Sequence, residues 1–195
     1  MNPDINLVRK SILKKTDEEL NKINQSLSKS TDLTKMIINS CPKLVKKLCG
    51  TQLFIQKRAH VIIKMPRRNS KTLPHYEMMS GISPFTYIFW APLHDINEYE
   101  GGIYYINLKK SLSIMKSEEK NEGFANGPYL FNMNFYEKPP AMKYGEAIIF
   151  NPFVIHGSNY FKSRLPRIAV NARFQSFKTP LFEKDTDYLE YYKFN

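Results

Sequence analysis

Apolar residues recur at helical spacing in the first fifty residues of the chain and at strand spacing after them. A capping-box pattern over residues 16–19 precedes apolar faces over 20–27, 33–37 and 44–48, and Gly50 follows as a helix stop. Residues beyond 52 are instead rich in aromatic and β-branched side chains, with glycine and proline between the runs. The pattern predicts an N-terminal helical zone followed by a β-rich zone.

The β-rich zone divides into eight predicted strands. They cover residues 52–57, 59–65, 73–77, 84–92, 102–107, 145–151, 153–157 and 166–176. About eight antiparallel strands with short turns are typical of a jelly roll, the double-stranded β-helix type of barrel. We therefore expect a mainly β, cupin-like fold with N-terminal α-helices, in which inward-pointing side chains meet at the barrel mouth.

The length of 195 residues favours one structural domain. Within it, we expect residues 1–50 to form a helical segment that packs on a barrel core of residues 51–195. A long irregular insert separates strands 102–107 and 145–151 and is rich in aromatic residues. Because long loops in compact domains are usually functional or disordered, and aromatic content argues against disorder, we interpret the insert as a lid or substrate-shaping loop.

The positive charge is concentrated upstream of residue 73. Residues 1–72 contain 16 lysines and arginines against 5 acidic residues, whereas residues 73–195 contain 13 of each. This basic zone is compatible with steering of an anionic substrate or a polyanion, and equally with a solvated helical surface. It lacks interleaved aromatic side chains, which argues against nucleic-acid binding.

The remaining composition bounds the compartment. Cys41 and Cys49 form no disulfide framework or zinc pattern, and the chain shows no signal-peptide core and no apolar run long enough to span a membrane. These features predict a soluble protein of the reducing cytoplasm.

His75-Tyr76-Glu77 places two metal-binding residue types two positions apart. Side chains at i and i+2 of a β-strand point to one face, so His75 and Glu77 are predicted to face one ion while Tyr76 points away. A second histidine, His156, follows 81 residues later. Two histidines and one carboxylate form the facial triad of non-haem Fe(II) oxygenases. An isolated H-x-E pattern also occurs by chance, so this interpretation depends on the downstream residues.

Arg167, Asn171 and Arg173 share one face of the predicted strand 166–176. An arginine that faces a barrel interior is unfavourable unless it meets an anion. A dicarboxylate cosubstrate would satisfy Arg167 through a bidentate, charge-assisted pair. The competing interpretation is an outward-facing surface arginine.

Four motifs, in this order, resemble those of Fe(II)/2-oxoglutarate oxygenases of the phytanoyl-CoA dioxygenase-like type. They are H-x-E at 75–77, Trp-x-Pro-Leu at 90–93, His-Gly-Ser at 156–158 and an arginine 11 residues beyond His156. A closer similarity is to the sporadic carbohydrate cluster 2OG-Fe(II) oxygenases, which occur in polysaccharide and aminoglycoside biosynthesis clusters. The segments that carry it are 50–56, 62–66, 73–85 and 90–95, and the likeness covers about residues 50–107 and 144–176.

The resemblance implies a role for each of six residues. His75, Glu77 and His156 would bind Fe(II) as the catalytic centre. Arg167 would bind the distal carboxylate of the cosubstrate 2-oxoglutarate, Ser158 would donate a hydrogen bond beside it, and Trp90 would line the cosubstrate pocket. The small-molecule substrate that it implies is a sugar or activated sugar of carbohydrate or polysaccharide biosynthesis, and the basic zone would suit an anionic or nucleotide-linked one.

Two positions depart from the pattern of these oxygenases. Glu77 stands where aspartate is usual and is one methylene longer, which bears on iron affinity. The sequence Glu100-Gly101-Gly102 stands where the carbohydrate-cluster relatives tend to have a Lys-Ser pair.

Two other interpretations remain open. A cupin-type sugar epimerase or isomerase shares the jelly roll but can use histidine and tyrosine as acid and base without metal, and it has no need of Arg167 at a fixed offset from His156. A non-catalytic binding module derived from an oxygenase is the second, for which Glu77 is the only hint. His94 is interpreted as a structural or surface residue, and His60 as a residue on a sheet surface.

Overall fold

The computed structural model describes residues 4–28, 32–66, 72–121, 138–158, 162–182 and 187–194. The helices in these ranges are α1 (Ile5–Leu13), α2 (Asp17–Ser28), α3 (Asp32–Ser40), α4 (Pro42–Cys49) and α5 (Leu108–Asn121). The first four precede every strand, so the predicted helical zone is confirmed. The pattern missed α1, which begins where the Asp4 side chain accepts a hydrogen bond from the Asn6 backbone N–H. None of the helices in the described ranges is long and apolar enough to cross a membrane.

The strands in these ranges are β1 (Gln52–Gln56), β2 (His60–Lys64), β3 (Thr72–His75), β4 (Tyr87–Pro92), β5 (Ile103–Tyr105), β6 (Ile148–Phe150), β7 (His156–Ser158), β8 (Arg167–Ser176) and β9 (Leu189–Lys193). The sequence pattern predicts the first eight, with wider bounds, and misses β9. Because β9 pairs along its whole length with β1, its extended conformation depends on a partner more than 130 residues away in the chain.

The strands form two antiparallel sheets. The larger has the order β6-β4-β8-β1-β9, and β2 also pairs with β8; the smaller has the order β3-β7-β5. One edge of β8 is shared, because residues 167–171 pair with β2 and residues 174–176 pair with β1. The long strand β8 thereby connects both parts of the larger sheet. Two antiparallel sheets with helices agree at this level with the predicted jelly-roll-like fold.

The main core lies between the large sheet and the helices α3 and α4. Ile38 of α3, Val45 of α4 and Phe174 of β8 are fully buried in one cluster with Leu53 and Ile55 of β1. A second cluster surrounds Trp90 and Ile88 on the opposite face of the same sheet. The faces alternate because successive strand residues point to opposite sides.

The predicted insert is partly helical rather than irregular. Helix α5 begins after Asn107, whose Oδ1 accepts a hydrogen bond from the Lys110 backbone N–H, and Met115 lies buried against Ile106 and Ile155. The pattern missed this helix because its polar and charged residues leave only a narrow apolar face. Residues 122–137, on which the lid interpretation depends, lie outside the described residues.

Candidate metal centre and anion pocket

The three predicted metal ligands meet where β3 and β7 pair. His75, the last residue of β3, lies directly opposite His156, the first residue of β7, and their ring centroids are 4.3 Å apart. One ligand atom from each of His75, Glu77 and His156 lies within 4.8 Å of the others. Antiparallel pairing therefore brings together two histidines that are far apart in the sequence.

Glu77 reaches this group by a turn rather than by strand periodicity. Strand β3 ends at His75, and Glu77 begins a short 3₁₀ helix, Glu77–Ser80. The expectation that residues 73–77 form one strand is therefore wrong at its end. Tyr76 is still extended and buried against Ile106 on the far side, and the Glu77 backbone N–H donates to the Pro152 carbonyl over 3.0 Å. The turn directs Glu77 back toward the histidines.

Backbone carbonyls hold both imidazoles in one tautomer. His75 Nδ1 lies 2.8 Å from the Leu73 carbonyl and His156 Nδ1 lies 2.9 Å from the Val154 carbonyl, so each Nδ1 carries the proton and donates it. Each Nε2 is then left with its lone pair toward the site, which is the form that binds a metal. Burial, followed by the adjacent His156, lowers the pKa of His75 and favours its neutral form.

The Glu77 carboxylate is buried between two basic groups. Its Oε1 lies 3.5 Å from His156 Nε2, and its Oε2 accepts a hydrogen bond from Arg173 Nη2. Burial alone would raise the pKa of Glu77, but the hydrogen bond from His156 and the charge of Arg173 outweigh it and hold this pKa at about 2. The carboxylate is therefore ionised, as a metal ligand must be.

Arg167 lies at the other end of the same cavity. Its side chain is 4% exposed, its guanidinium lies 5.4 Å from the Trp90 ring centroid, and its Nε is buried without a hydrogen-bond partner among the described residues. Burial lowers the pKa of Arg167 to about 10, because the charged form is costly away from water. An arginine in this state has the chemistry of an anion-binding group.

Lys64 is a second basic group beside Arg167, and the sequence analysis did not single it out. The two residues are directly opposite on β2 and β8, and Lys64 is 7% exposed. Burial and the charge of Arg167 lower the pKa of Lys64 to about 8. The signal was strand parity, because His60 and Ile62 of β2 line the cavity and Lys64 continues the same alternation.

Ser158 connects the two sides of this anion pocket. Its Oγ accepts hydrogen bonds from Lys64 Nζ over 3.0 Å and from the Thr72 backbone N–H over 3.1 Å, and it lies 3.0 Å from Thr72 Oγ1. The predicted hydrogen bond from Ser158 to a cosubstrate therefore competes with partners that Ser158 already has. The arrangement makes Ser158 a residue that positions Lys64.

Gly157, between His156 and Ser158, is required by close packing. A Cβ at this position would collide with the Tyr104 hydroxyl and would lie 2.6 Å from Tyr104 Cζ and 2.7 Å from the Thr72 carbonyl oxygen. Only glycine lets β7 pass between β3 and β5 at this distance. The His-Gly-Ser motif thus has a packing reason for its middle residue.

The six residues predicted for the site line one cavity of about 180 Å³. These are His75, Glu77, Trp90, His156, Ser158 and Arg167, and Asn171 and Arg173 line it with them. The predicted common face of Arg167, Asn171 and Arg173 on β8 is confirmed. His60 lies at the rim of this cavity with its side chain exposed, and it also lines an adjoining cavity. Its interpretation as a sheet-surface residue missed that location.

A larger cavity of about 610 Å³, beside α1, contains charged residues that already have partners. Arg9 donates to the Pro166 carbonyl over 2.8 Å and pairs with Glu100 over 3.4 Å. His94 has its Nδ1 2.8 Å from the Asp95 carbonyl, and its Nε2 accepts from the Ile168 backbone N–H. His94 is therefore structural, as predicted, and the smaller cavity holds the candidate site.

Comparison by sequence finds no matching family model and no matching curated protein. Comparison by structure finds solved non-haem enzymes. The apo structure of ThoJ, described as a non-haem monooxygenase, has a TM-score of 0.55 at 12% identity and covers 71% of this chain and 52% of that chain. The alpha-ketoglutarate-dependent carbocyclase SnoK of nogalamycin biosynthesis has a TM-score of 0.53 at 16% identity, over 74% of this chain and 57% of that chain.

The epimerase SnoN, solved with Fe3+, alpha-ketoglutarate and nogalamycin RO, has a TM-score of 0.51 at 13% identity over 72% of this chain and 58% of that chain. The chain thus spans little more than half the length of these three structures. At such identities the similarity shows a shared fold. The fold is that of non-haem iron and 2-oxoglutarate-dependent enzymes, and the chemistry has to be argued from the site.

Proposed function

We propose that the protein is an Fe(II)- and 2-oxoglutarate-dependent oxygenase. The observation that carries this proposal is the pairing, within one cavity, of a two-histidine, one-carboxylate group with a buried arginine that has no hydrogen-bond partner among the described residues. A metal would complete the first and a carboxylate the second. A dicarboxylate that also binds the metal satisfies both ends at once.

Each residue has a defined part in holding these groups. His75, Glu77 and His156 would bind Fe(II) as the catalytic centre, and their nitrogen and oxygen donors suit that ion. Arg167, flanked by Lys64 and covered by Trp90, would bind the distal carboxylate of 2-oxoglutarate. When bound, iron and 2-oxoglutarate supply the oxidising power to attack a C–H bond. The protein's part is to orient them and to keep water out of the cavity.

The substrate proposed is a small anionic molecule, and a sugar or nucleotide-linked sugar of carbohydrate biosynthesis is the class that the motif resemblance suggests. A cavity of about 510 Å³ adjoins the metal site at His60 and is lined also by Lys57, Arg58, Tyr188 and Asp187. Two of these side chains are cationic and one is anionic, so the entrance is net positive. Such an entrance favours anionic substrates.

The finer architecture belongs to the same proposal. We place the chain near the phytanoyl-CoA dioxygenase-like oxygenases, with a double-stranded β-helix core over residues 51–195 and the helical segment 1–50 packed on it as one structural domain. The common cluster of Ile38, Val45, Leu53 and Phe174 supports a single folding unit. A metal-independent cupin-type isomerase or a non-catalytic module is less favoured, because neither requires the buried Arg167 beside the triad.

An anaerobic titration tests the function. The wild-type protein with Fe(II) and 2-oxoglutarate should develop a visible charge-transfer absorption, which His75→Ala should abolish and Arg167→Ala should weaken. Arg164→Ala, at an exposed arginine of the same loop, is the matched control and should behave as the wild type. Wild-type protein with no absorption at saturating iron and 2-oxoglutarate would overturn the proposal. Succinate release that increases with a candidate sugar would then identify the substrate.

A further inference from the structure

Glu77 needs a partner to define its position. A glutamate has one more rotatable bond than the aspartate usual in such triads, and the backbone of Glu77 lies on a short 3₁₀ turn rather than on a strand. A flexible carboxylate can bind a metal through one oxygen or through both. Only single-oxygen binding preserves the three open positions that a facial triad provides.

Arg173 is held rigidly against this carboxylate. It lies on β8 on the same face as Arg167, and its side chain is 14% exposed. Nη2 donates to Glu77 Oε2, Nη1 donates to the Tyr188 hydroxyl, and the guanidinium lies 5.5 Å from the centroid of the Tyr188 ring. Contacts on two sides fix the guanidinium plane, and the planar fork of arginine suits this directional contact better than lysine does.

The two oxygens of Glu77 therefore have different surroundings. Oε2 is occupied by Arg173, whereas Oε1 is directed at His156 Nε2 and lies 3.5 Å from it. We propose that Arg173 is a positioning residue that reserves Oε2, so that Glu77 presents only Oε1 to the metal. This inference rests on the proposed function, and it explains how the longer glutamate can serve as a single-oxygen ligand.

Cobalt(II) binding under anaerobic conditions, without cosubstrate, tests the inference independently of turnover. Loss of an outer partner of a metal ligand typically lowers metal affinity about 10- to 100-fold, and we expect that loss for Arg173→Gln. We also expect its visible cobalt spectrum to change, because Glu77 can then bind through both oxygens. Arg173→Lys, which retains the charge and one donor, should restore part of the affinity. Arg164→Gln, at an exposed position, should match the wild type.

Combining substitutions separates positioning from folding. If Arg173 acts through Glu77, Arg173→Gln should have little further effect on cobalt affinity in a Glu77→Asp background, whose shorter side chain cannot reach both Arg173 and the metal. A purely structural role would lower the thermal midpoint of the metal-free protein and leave the cobalt spectrum of the folded fraction unchanged. Tyr188→Phe retains the fold contacts of its ring and should cause a smaller affinity loss than Arg173→Gln.

The outcomes distinguish this inference from the proposed function. Wild-type protein that does not bind cobalt(II) contradicts both. Wild-type binding with the same affinity and spectrum in Arg173→Gln overturns the positioning role alone and leaves the oxygenase proposal intact. Equal losses in the Arg173→Gln and Arg164→Gln variants would also overturn it, because the effect would then be one of general charge.

Discussion

The two ends of the cavity carry buried charges in opposite states. At the metal end, Glu77 lies between Arg173 and His156, so its charge is compensated. At the anion end, Arg167 lies opposite Lys64, and no carboxylate among the described residues contacts Arg167. Both ends depend on β8, where Arg167 and Arg173 are six residues apart. The same strand face therefore presents one arginine with a partner and one without.

This difference shows which end needs a ligand. A buried charge that is paired and hydrogen-bonded is close to neutral in free energy, whereas an unpaired one is costly. The metal end is electrostatically satisfied by the protein alone and gains geometry from a metal. The anion end is satisfied only when an anion enters. Substitutions at the two ends should therefore change stability in opposite directions.

Glu77→Gln should have the largest effect on stability. It leaves Arg173 buried without its carboxylate, and breaking a buried pair by removing one partner costs about 3–5 kcal/mol. Chemical denaturation of the metal-free protein measures this loss. Glu146→Gln, at an exposed carboxylate, is the control and should change stability by less than about 0.5 kcal/mol. An unchanged midpoint in Glu77→Gln would show that the metal end is not a satisfied pair.

Arg167→Met should act in the opposite direction on the metal-free, cosubstrate-free protein. It removes an unpaired buried charge, so the thermal midpoint should rise. Its affinity for 2-oxoglutarate should fall, because truncating one partner of a buried charge pair costs about 2–5 kcal/mol. Isothermal titration with 2-oxoglutarate and thermal melts measure both, with Arg164→Met as the control. A lower midpoint together with unchanged affinity would contradict the unpaired state of Arg167.

Gly157→Ala should disturb both ends together. Strand β7 carries His156 to the metal end and Ser158 to the anion end, and the added methyl group would collide with Tyr104 and with the Thr72 carbonyl. Overpacking of this kind costs about 1–3 kcal/mol. Cobalt and 2-oxoglutarate affinities should both decrease. Gly102→Ala, whose Cβ would meet its nearest neighbour at 3.1 Å, should be milder, and retention of either affinity in Gly157→Ala would show that the two ends are positioned independently.

Lys64 should give the smallest effect, visible as a pH dependence. Its pKa is lowered from 10.5 to about 8 in the folded protein, so between pH 8 and pH 10.5 the unfolded chain holds a proton that the folded chain has lost. Stability should therefore rise with pH through this window, relative to Lys64→Met.

Anion binding should show the reverse trend. Because an anion favours charged Lys64, 2-oxoglutarate affinity should fall above pH 8, by at most about tenfold per pH unit. The Lys64→Met variant should lack this dependence. Parallel pH profiles of the wild type and the variant would remove Lys64 from the anion pocket.

Strand periodicity predicted much of the fold. Eight strands and the helical first zone follow from local patterns, because apolar spacing and glycine or proline breaks act within a few residues. The same patterns missed β9, whose strand conformation depends on pairing with β1, and α5, whose apolar face is narrow.

Sequence reasoning reached the site by residue type more reliably than by geometry. His75, Glu77, His156 and Arg167 were found because metal and anion chemistry restricts which side chains can serve. The route by which Glu77 reaches the histidines was predicted incorrectly, since the strand ends one residue before the turn that directs it inward. Lys64 was missed because its importance arises only when β2 pairs with β8 opposite Arg167.

The sequence by itself therefore determined the donor groups and the alternation of the strands. The tertiary structure alone decided which charges are compensated, because that depends on cross-strand distances between residues that are far apart in the chain. Arg167 and Arg173 are equivalent by parity on β8, yet one faces Trp90 without an acidic partner and the other contacts Glu77. Only packing of the two sheets distinguishes them, since compensation of a buried charge requires a partner within hydrogen-bonding distance.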